Sequence, residues 1–221
     1  MKKTLITLLV IPFFTVFAKA ADISDATFTI GAGGAQYVAG ATGRETQDGG
    51  VPASGGVKQS DEESAVFEDM GGYVFAEIGM GRLSVGASYM YDDLSTPTNT
   101  NDKNGSINTV QVDFADIVTA YATLDVIGGM YAKVGIVDGD VVTNESLKTS
   151  SSASGSINDQ QLEGFVGGVG FKHTLDTGLG FRTEVLYGSY DDFSATDSNG
   201  DKYDVNNMQS LQVNFALAYT F

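Results

Sequence analysis

The chain contains no cysteine and no tryptophan, and it has one histidine and three prolines in 221 residues. Without cysteine it can form neither a disulfide framework nor a thiolate zinc site. Its 12 basic residues stand against 28 acidic ones, a net charge of −16, so cations are too few to neutralise a nucleic-acid backbone. The hydrophobic share of 42% is nevertheless too high for a disordered acidic chain. The composition therefore indicates an acidic folded domain that binds no nucleic acid.

The first 20 residues have the layout of a secretory signal peptide. Lys2 and Lys3 precede an apolar run over residues 5–17, and Ala18-Lys19-Ala20 forms an A-x-A cleavage site. An uncleaved anchor helix is the other interpretation, but a helical span needs about 20 apolar residues, and this run is shorter and contains Pro12. We predict a signal peptide over residues 1–20 and a single domain over residues 21–221. No later stretch is apolar enough for a transmembrane helix.

The remaining chain alternates between apolar residues and polar or small ones, which is the period of a β-strand. The clearest example is the final segment, where one face carries Leu211, Val213, Phe215, Leu217, Tyr219 and Phe221. The same alternation predicts eight strands, at about 27–38, 73–80, 83–91, 118–124, 131–136, 164–172, 181–188 and 211–221.

The predicted connections alternate strictly between short and long. The short ones are residues 79–82, 125–129 and 175–178, and the long polar ones are residues 39–65, 92–108, 138–161 and 191–207. All the long connections therefore lie at one end of the sheet. This is typical of transmembrane β-barrels, which have short periplasmic turns and longer outer loops. A soluble sandwich has no reason to sort its loops in this way.

Alternation alone does not say which face points outward. A soluble lipocalin-like barrel would turn its apolar face inward. Here the less apolar face is crowded with glycine, alanine and serine, which suits the narrow interior of an eight-stranded barrel. The apolar face carries aromatic residues near both ends of the strands, as an interfacial girdle would require. These residues are Tyr89, Tyr91 and Tyr187 on the loop side and Phe171, Phe181 and Phe221 on the turn side.

The terminal alternating strand, which ends at Phe221, resembles the closing strand of bacterial outer-membrane barrels. Together with Gly164–Tyr187, it is similar to the small OmpA/OmpX-type and opacity-like barrels. The resemblance implies an all-β, eight-stranded, antiparallel up-and-down transmembrane β-barrel in the outer membrane of a Gram-negative cell. It implies contact with outer-membrane lipids and lipopolysaccharide. It also implies that Tyr219 and Phe221 form an assembly signal, read by the barrel-assembly machinery during insertion.

Catalytic chemistry is not expected. His173 lies on the turn side, whereas the acidic pairs Asp92-Asp93 and Asp191-Asp192 lie on the loop side, out of hydrogen-bond reach. No cofactor or metal centre is predicted. Two functions remain: a surface-interaction scaffold that presents acidic loops to a ligand that the sequence does not name, or a small porin-like channel. Eight strands are too few for an open lumen, since porins use about 16–18, and this favours the scaffold.

Five charged residues occupy nearly the same level of the predicted lumen, close to the short turns. They are Glu77, Lys133, Lys172, Arg182 and Glu184. Because an unpaired charge is costly to desolvate, we expect these side chains to form an ion-pair layer that plugs the lumen. The other interpretation is that several of them extend to periplasmic water.

Two short segments recur within the chain. Tyr91-Asp92-Asp93-Leu94-Ser95 resembles Tyr190-Asp191-Asp192-Phe193-Ser194, and Gln111–Ala115 resembles Gln212–Ala216. Both a duplicated half-barrel and chance similarity between alternating strands explain such repeats.

Overall fold

The computed structural model describes residues 26–46, 60–103, 106–146, 157–196 and 202–221. The predicted signal peptide, residues 1–20, lies outside these ranges, and no helix within them is long and apolar enough to cross a membrane. The regular elements in the described ranges are β-strands. They are β1 (Ala26–Thr46), β2 (Ser60–Met80), β3 (Leu83–Met90), β4 (Leu94–Ser95), β5 (Asn99–Lys103), β6 (Ser106–Ile127), β7 (Met130–Ser146), β8 (Gln160–Thr174), β9 (Leu179–Tyr190), β10 (Phe193–Thr196) and β11 (Lys202–Thr220).

The strands form one antiparallel sheet that closes on itself. Neighbours along the sheet follow the order β1-β2-β3-β6-β7-β8-β9-β11, and β11 pairs with β1 to complete the ring. Strands β4 and β5 continue β3 along β6, and β10 continues β9 along β11. The wall therefore has eight antiparallel rows, each made of one strand or of consecutive strands in line, and we call these rows staves. Eight staves confirm the predicted eight-stranded barrel.

The three short turns lie where the sequence predicts them, and they require glycine. Gly81, Gly128, Gly129 and Gly178 all have positive φ, a conformation that glycine adopts without steric cost. The predicted long loops are wrong in extent, because the staves continue far into them. Strands β1 and β2, for example, stay paired without interruption up to Thr46 and Ser60. Outside the membrane both faces of a sheet can meet water, so the apolar alternation that marks a strand is lost there.

The barrel is inverted relative to a soluble protein. Large apolar side chains of the predicted apolar face remain exposed on the outside, including Val74, Val134, Phe165, Leu217 and Phe221. Polar, charged and small side chains of the opposite face are buried in the lumen. They include Ala35, Ser84, Thr123, Arg182, Ser210 and Asn214. This distribution suits a wall whose outer surface contacts hydrocarbon.

The apolar surface has the height of a membrane core. On β11 it runs from Leu211 to Phe221, and at about 3.3 Å per residue with a tilt of about 40° this is about 25 Å along the barrel axis. On the loop side, acidic side chains of the outer face mark its upper limit. They are Glu68, Asp116, Asp138 and Glu163. We call the apolar surface between these residues and the short turns the apolar belt.

Two staves break just outside the apolar belt, each at a copy of the Tyr-Asp-Asp repeat. Asp92 Oδ2 accepts the backbone N–H of Gly72 over 2.8 Å, and Asp192 Oδ1 accepts that of Asn207 over 2.9 Å. Asp116 and Asn207 are the non-glycine residues with positive φ in the described ranges, and each lies opposite one break. Both copies of the first repeat thus lie at a break, but they do not match residue by residue. Asp92 aligns with Asp191 and not with Asp192, and Tyr91 is exposed whereas Tyr190 packs against the buried cluster of the lumen.

The second repeat does not correspond. Phe114 is buried inside the outer end of the barrel, whereas Phe215 is exposed on the apolar belt. One of the two sequence similarities behind a duplicated half-barrel therefore has no structural counterpart.

Candidate functional site: the charged layer of the lumen

Four of the five predicted site residues meet inside the barrel at the level predicted. Glu77 lies on β2, Lys133 on β7, and Arg182 and Glu184 on β9, and all four side chains are buried. Alternation brings them to the inner face, because each is separated from the exposed residues of its strand by an odd number of positions. We call this group the charged layer.

The members of the charged layer form a continuous chain of ion pairs across the lumen. Arg182 Nη2 lies 3.1 Å from Glu77 Oε2, and Arg182 Nε lies 3.8 Å from Glu184 Oε1. Lys133 Nζ lies 3.0 Å from Glu184 Oε2 and 3.2 Å from its Oε1. The side chains of Lys133 and Arg182 are 5% exposed, and that of Glu184 is 0% exposed. Two cations and two anions give the charged layer a net charge of zero.

Neutral side chains complete the hydrogen bonding of Glu184. The Tyr131 hydroxyl donates to Glu184 Oε1 over 2.6 Å, and Asn214 Nδ2 donates to Oε2 over 3.0 Å. Arg182 Nε in turn donates to the Tyr131 hydroxyl oxygen over 3.1 Å. Buried charges are tolerated when their remaining lone pairs and protons are satisfied in this way. Alternation places Tyr131 and Asn214 on the inner face, but the sequence did not show that they bind Glu184.

Aromatic rings lie against the two cations of the charged layer. Lys133 Nζ is 4.0 Å from the centre of the Tyr121 ring, and Arg182 Cζ is 4.5 Å from that of Phe75. Cations are attracted to the face of an aromatic ring at such distances. The rings therefore both fill the lumen and hold the charged groups in place.

The large rings fit because each faces a glycine on the neighbouring strand. Phe75 is paired with Gly31, Tyr121 with Gly86 and Tyr131 with Gly170. In each case a methyl group added at the glycine would collide with the ring. The glycines of the inner face thus provide the volume that the aromatic side chains occupy.

Lys172 is a correction to the predicted layer. Its Nζ lies 2.8 Å from Asp125 Oδ1 at the turn end of the barrel, with the two side chains 28% and 35% exposed. Within the described residues no ion pair joins Lys172 to the charged layer. Lys172 lies two residues before the end of β8, so its flexible side chain reaches the water at the rim.

The other predicted residues lie on the turn side. His173 is exposed, 6.1 Å from the ring of Phe181, and far along the barrel from Asp92 and Asp191 at the opposite rim. Phe221 adds a hydrogen bond at the turn-side end of the seam between β1 and β11, because its backbone N–H donates to the Phe28 carbonyl over 2.8 Å. Its ring lies 4.9 Å from that of Tyr219, and the role of this pair in assembly stays a prediction. The described residues contain no group of three or more His, Asp or Glu side chains placed to hold a metal ion.

The loop-side half of the lumen is packed with apolar side chains. The rings of Phe67 and Phe114, from β2 and β6, stack at 5.6 Å across the outer end. These rings belong to a continuous cluster of buried residues, which includes Leu94, Ile117, Val141, Leu162, Leu186 and Met208. We call this cluster, with the two stacked rings, the outer apolar seal.

No protein-family model matches the chain, and no curated protein matches it either. Solved structures do match. The outer-membrane protein OprG from Pseudomonas aeruginosa aligns with a TM-score of 0.52 at 13% identity, covering 89% of this chain and 96% of that one. The attachment invasion locus protein Ail of Yersinia pestis aligns with a TM-score of 0.42 at 13% identity, covering 89% and 99%. Neisserial surface protein A aligns with a TM-score of 0.39 at 11% identity, covering 88% and 97%.

The similarity to OprG supports the barrel fold. The apolar outer surface of the barrel supports a membrane environment. A closed antiparallel barrel with an apolar outer surface and a polar interior is the architecture of outer-membrane proteins. The chain therefore has the fold of the small bacterial outer-membrane β-barrel proteins, and its apolar belt places it in that membrane.

Proposed function

We propose that the protein is a closed, non-conducting scaffold that holds its outer strands and acidic loops at the cell surface. The observation that carries this proposal is the charged layer, in which Glu184 is fully buried between Lys133 and Arg182. A water-filled pore through this level would leave these side chains solvated. Their burial and mutual pairing instead support a lumen that is filled with side chains.

The outer apolar seal supports the same conclusion independently. An ion that passed the charged layer would meet a lumen lined by Leu94, Phe114 and Leu162 and lose its hydration there. Two barriers of opposite chemistry thus lie in series along the barrel axis.

Conductance across planar bilayers tests the closed lumen. The wild-type barrel should show no discrete conductance steps, and neither should Lys172→Ala, whose side chain lies outside the charged layer. A variant that combines Arg182→Ala with Phe114→Ala removes one group from each barrier and should leak. Stable conductance steps from the wild-type protein would contradict the scaffold and support the channel.

The second part of the proposal concerns the acidic outer face. Asp138 and Glu163 lie directly opposite each other on β7 and β8, just outside the apolar belt. Like charges in such positions repel each other and also repel the phosphates of lipopolysaccharide. We infer that contact with lipopolysaccharide depends on divalent cations that bridge the carboxylates and the phosphates.

Reconstitution into vesicles with and without lipopolysaccharide tests this second part. With Mg²⁺ present, lipopolysaccharide should raise the unfolding midpoint of the wild-type barrel more than that of Asp138→Asn/Glu163→Gln. Without Mg²⁺ the difference should disappear. A midpoint that is indifferent to salt, Mg²⁺ and these two substitutions would contradict the electrostatic account.

A further inference from the structure

A small cavity lies between the charged layer and the outer apolar seal. Its volume is about 20 Å³, and polar side chains from six staves line it. They are Tyr37, Tyr73, Ser88, Thr119, Lys133, Gln212 and Asn214. The cavity thus lies in the membrane-embedded half of the barrel, directly beside the ion pair of Lys133 with Glu184.

Two buried oxygen atoms near this cavity lack a hydrogen-bond partner among the described residues. They are the Tyr73 hydroxyl oxygen and Asn214 Oδ1. Both side chains line the cavity and are 6% exposed. Buried polar atoms are nearly always paired in folded proteins, with the protein or with ordered water, so both atoms point to a ligand.

The size and the charge balance of the surroundings identify the chemistry of this ligand. A volume of about 20 Å³ holds one or two water molecules and nothing larger. The charged layer already has equal numbers of cations and anions, so an added ion would be uncompensated, whereas a neutral molecule that both donates and accepts fits. We propose that the cavity is a structural water site, in which bound water bridges Tyr73 on β2 to Asn214 on β11.

The water site extends the network of the charged layer toward the outer half of the lumen. Asn214 donates to Glu184 through Nδ2, so water that donates to its Oδ1 fixes the orientation of the amide. The Tyr73 hydroxyl has no hydrogen-bond partner among the described residues, so water also satisfies this buried group. With a seal above and the charged layer below, this water exchanges slowly with bulk solvent.

Nuclear Overhauser contacts between water and protein, measured on the wild-type barrel in detergent micelles, test the site. Water should show cross-peaks to the side-chain amide protons of Asn214, with the sign of long-lived water. Tyr73→Phe keeps the ring but removes the hydroxyl, and it should abolish these cross-peaks. Tyr187→Phe is the matched control, because its hydroxyl lies on the exposed outer face, and it should leave them unchanged.

The slow exchange of the water rests on the proposed closed scaffold, whereas the water site itself does not, and the outcomes distinguish the two. Wild-type protein without any water cross-peak at Asn214 would overturn the site, as would cross-peaks that persist unchanged in Tyr73→Phe. Cross-peaks with the sign of rapidly exchanging water would support the site and overturn the sealed lumen. A crystal structure at about 1.8 Å resolution with one or two ordered waters between Tyr73 and Asn214 would support the site even if Tyr73→Phe fails to fold.

Discussion

The ring of Tyr131 lies across the backbone of Gly170, its direct partner on the next strand, and this contact brings the Tyr131 hydroxyl to within 2.6 Å of Glu184. The glycine therefore sets the geometry of the charged layer without carrying any charge itself. Large rings that lie flat over cross-strand glycines are a known device of sheet packing. In this barrel the packing of Tyr131 on Gly170 positions the hydroxyl that donates to the buried carboxylate of Glu184.

We predict that Gly170→Ala destabilises the barrel by about 1–3 kcal/mol, the usual cost of overpacking a filled interior. The added methyl group would collide with the Tyr131 ring and move its hydroxyl away from Glu184. Urea unfolding in lipid vesicles, followed by the mobility shift of the folded barrel in gels, measures the loss in the free energy of unfolding.

Gly167→Ala is the matched control for this prediction. A methyl group there meets only ordinary contacts, at 3.7 Å from the Lys133 carbonyl and 4.0 Å from Val134. It should change the free energy of unfolding by less than about 0.5 kcal/mol. Equal effects of the two substitutions would contradict the packing of Tyr131 on Gly170.

Two lysines of the inner face should differ strongly in importance. Lys133→Met leaves the buried carboxylate of Glu184 without its closest cation, and removing one partner of a buried pair costs about 3–5 kcal/mol. Lys172→Met removes only a half-exposed pair with Asp125 and should cost about 0–1 kcal/mol. The same unfolding assay compares them, and similar losses would show that Lys133 is as solvated as Lys172.

The fold was predictable because lipid imposes a pattern on the sequence. Where one face meets hydrocarbon and the other fills a narrow lumen, residues must alternate, and this gave eight staves and the inward face of Glu77, Lys133, Arg182 and Glu184. The same rule explains why the predicted strands end too early on the loop side. No membrane constrains residues such as Gly40–Thr46, so their sequence carries no strand signal although they lie in β1.

The partners within the charged layer were less predictable because they depend on register. Alternation tells which face a residue occupies, but not that Asn214 lies directly opposite Glu184, or Tyr131 opposite Gly170. Lys172 shows a second limit, since alternation along the strand places it on the inner face, as it does Lys133. Lys172 lies so close to the rim that its long side chain reaches Asp125 there, and alternation does not predict this.

Phe221 should matter for insertion more than an equally exposed residue in a turn. Its backbone N–H extends the seam by one hydrogen bond to Phe28, and its ring lies on the apolar belt. We expect Phe221→Asp to reduce the amount of barrel in outer-membrane fractions severalfold, because it removes the terminal ring of the predicted assembly signal. The charge itself should contribute little at this interfacial position, where it costs about 0–1 kcal/mol. Thr177→Asp, in the turn between β8 and β9, is the control and should insert normally. Equal recovery of the two variants from the outer-membrane fraction would contradict a special role of Phe221 in insertion.

The last prediction concerns acid sensitivity outside the membrane, at the short ladder between β10 and β11. Lys202, whose Nζ lies 2.7 Å from Asp204 Oδ1, and the Ser194 hydroxyl both donate to this carboxylate and hold the pKa of Asp204 below its usual value of 3.8. A carboxylate whose pKa is lowered by folding stabilises the folded state above its unfolded pKa, and this contribution is lost as the pH falls through the folded pKa. Amide hydrogen exchange of Ala195 should therefore accelerate below about pH 3.8 in the wild-type protein, beyond the intrinsic dependence of exchange on pH. In Asp204→Asn the opening of the ladder should be independent of pH over the same window. An identical acceleration in the two proteins would show that Asp204 does not hold this ladder.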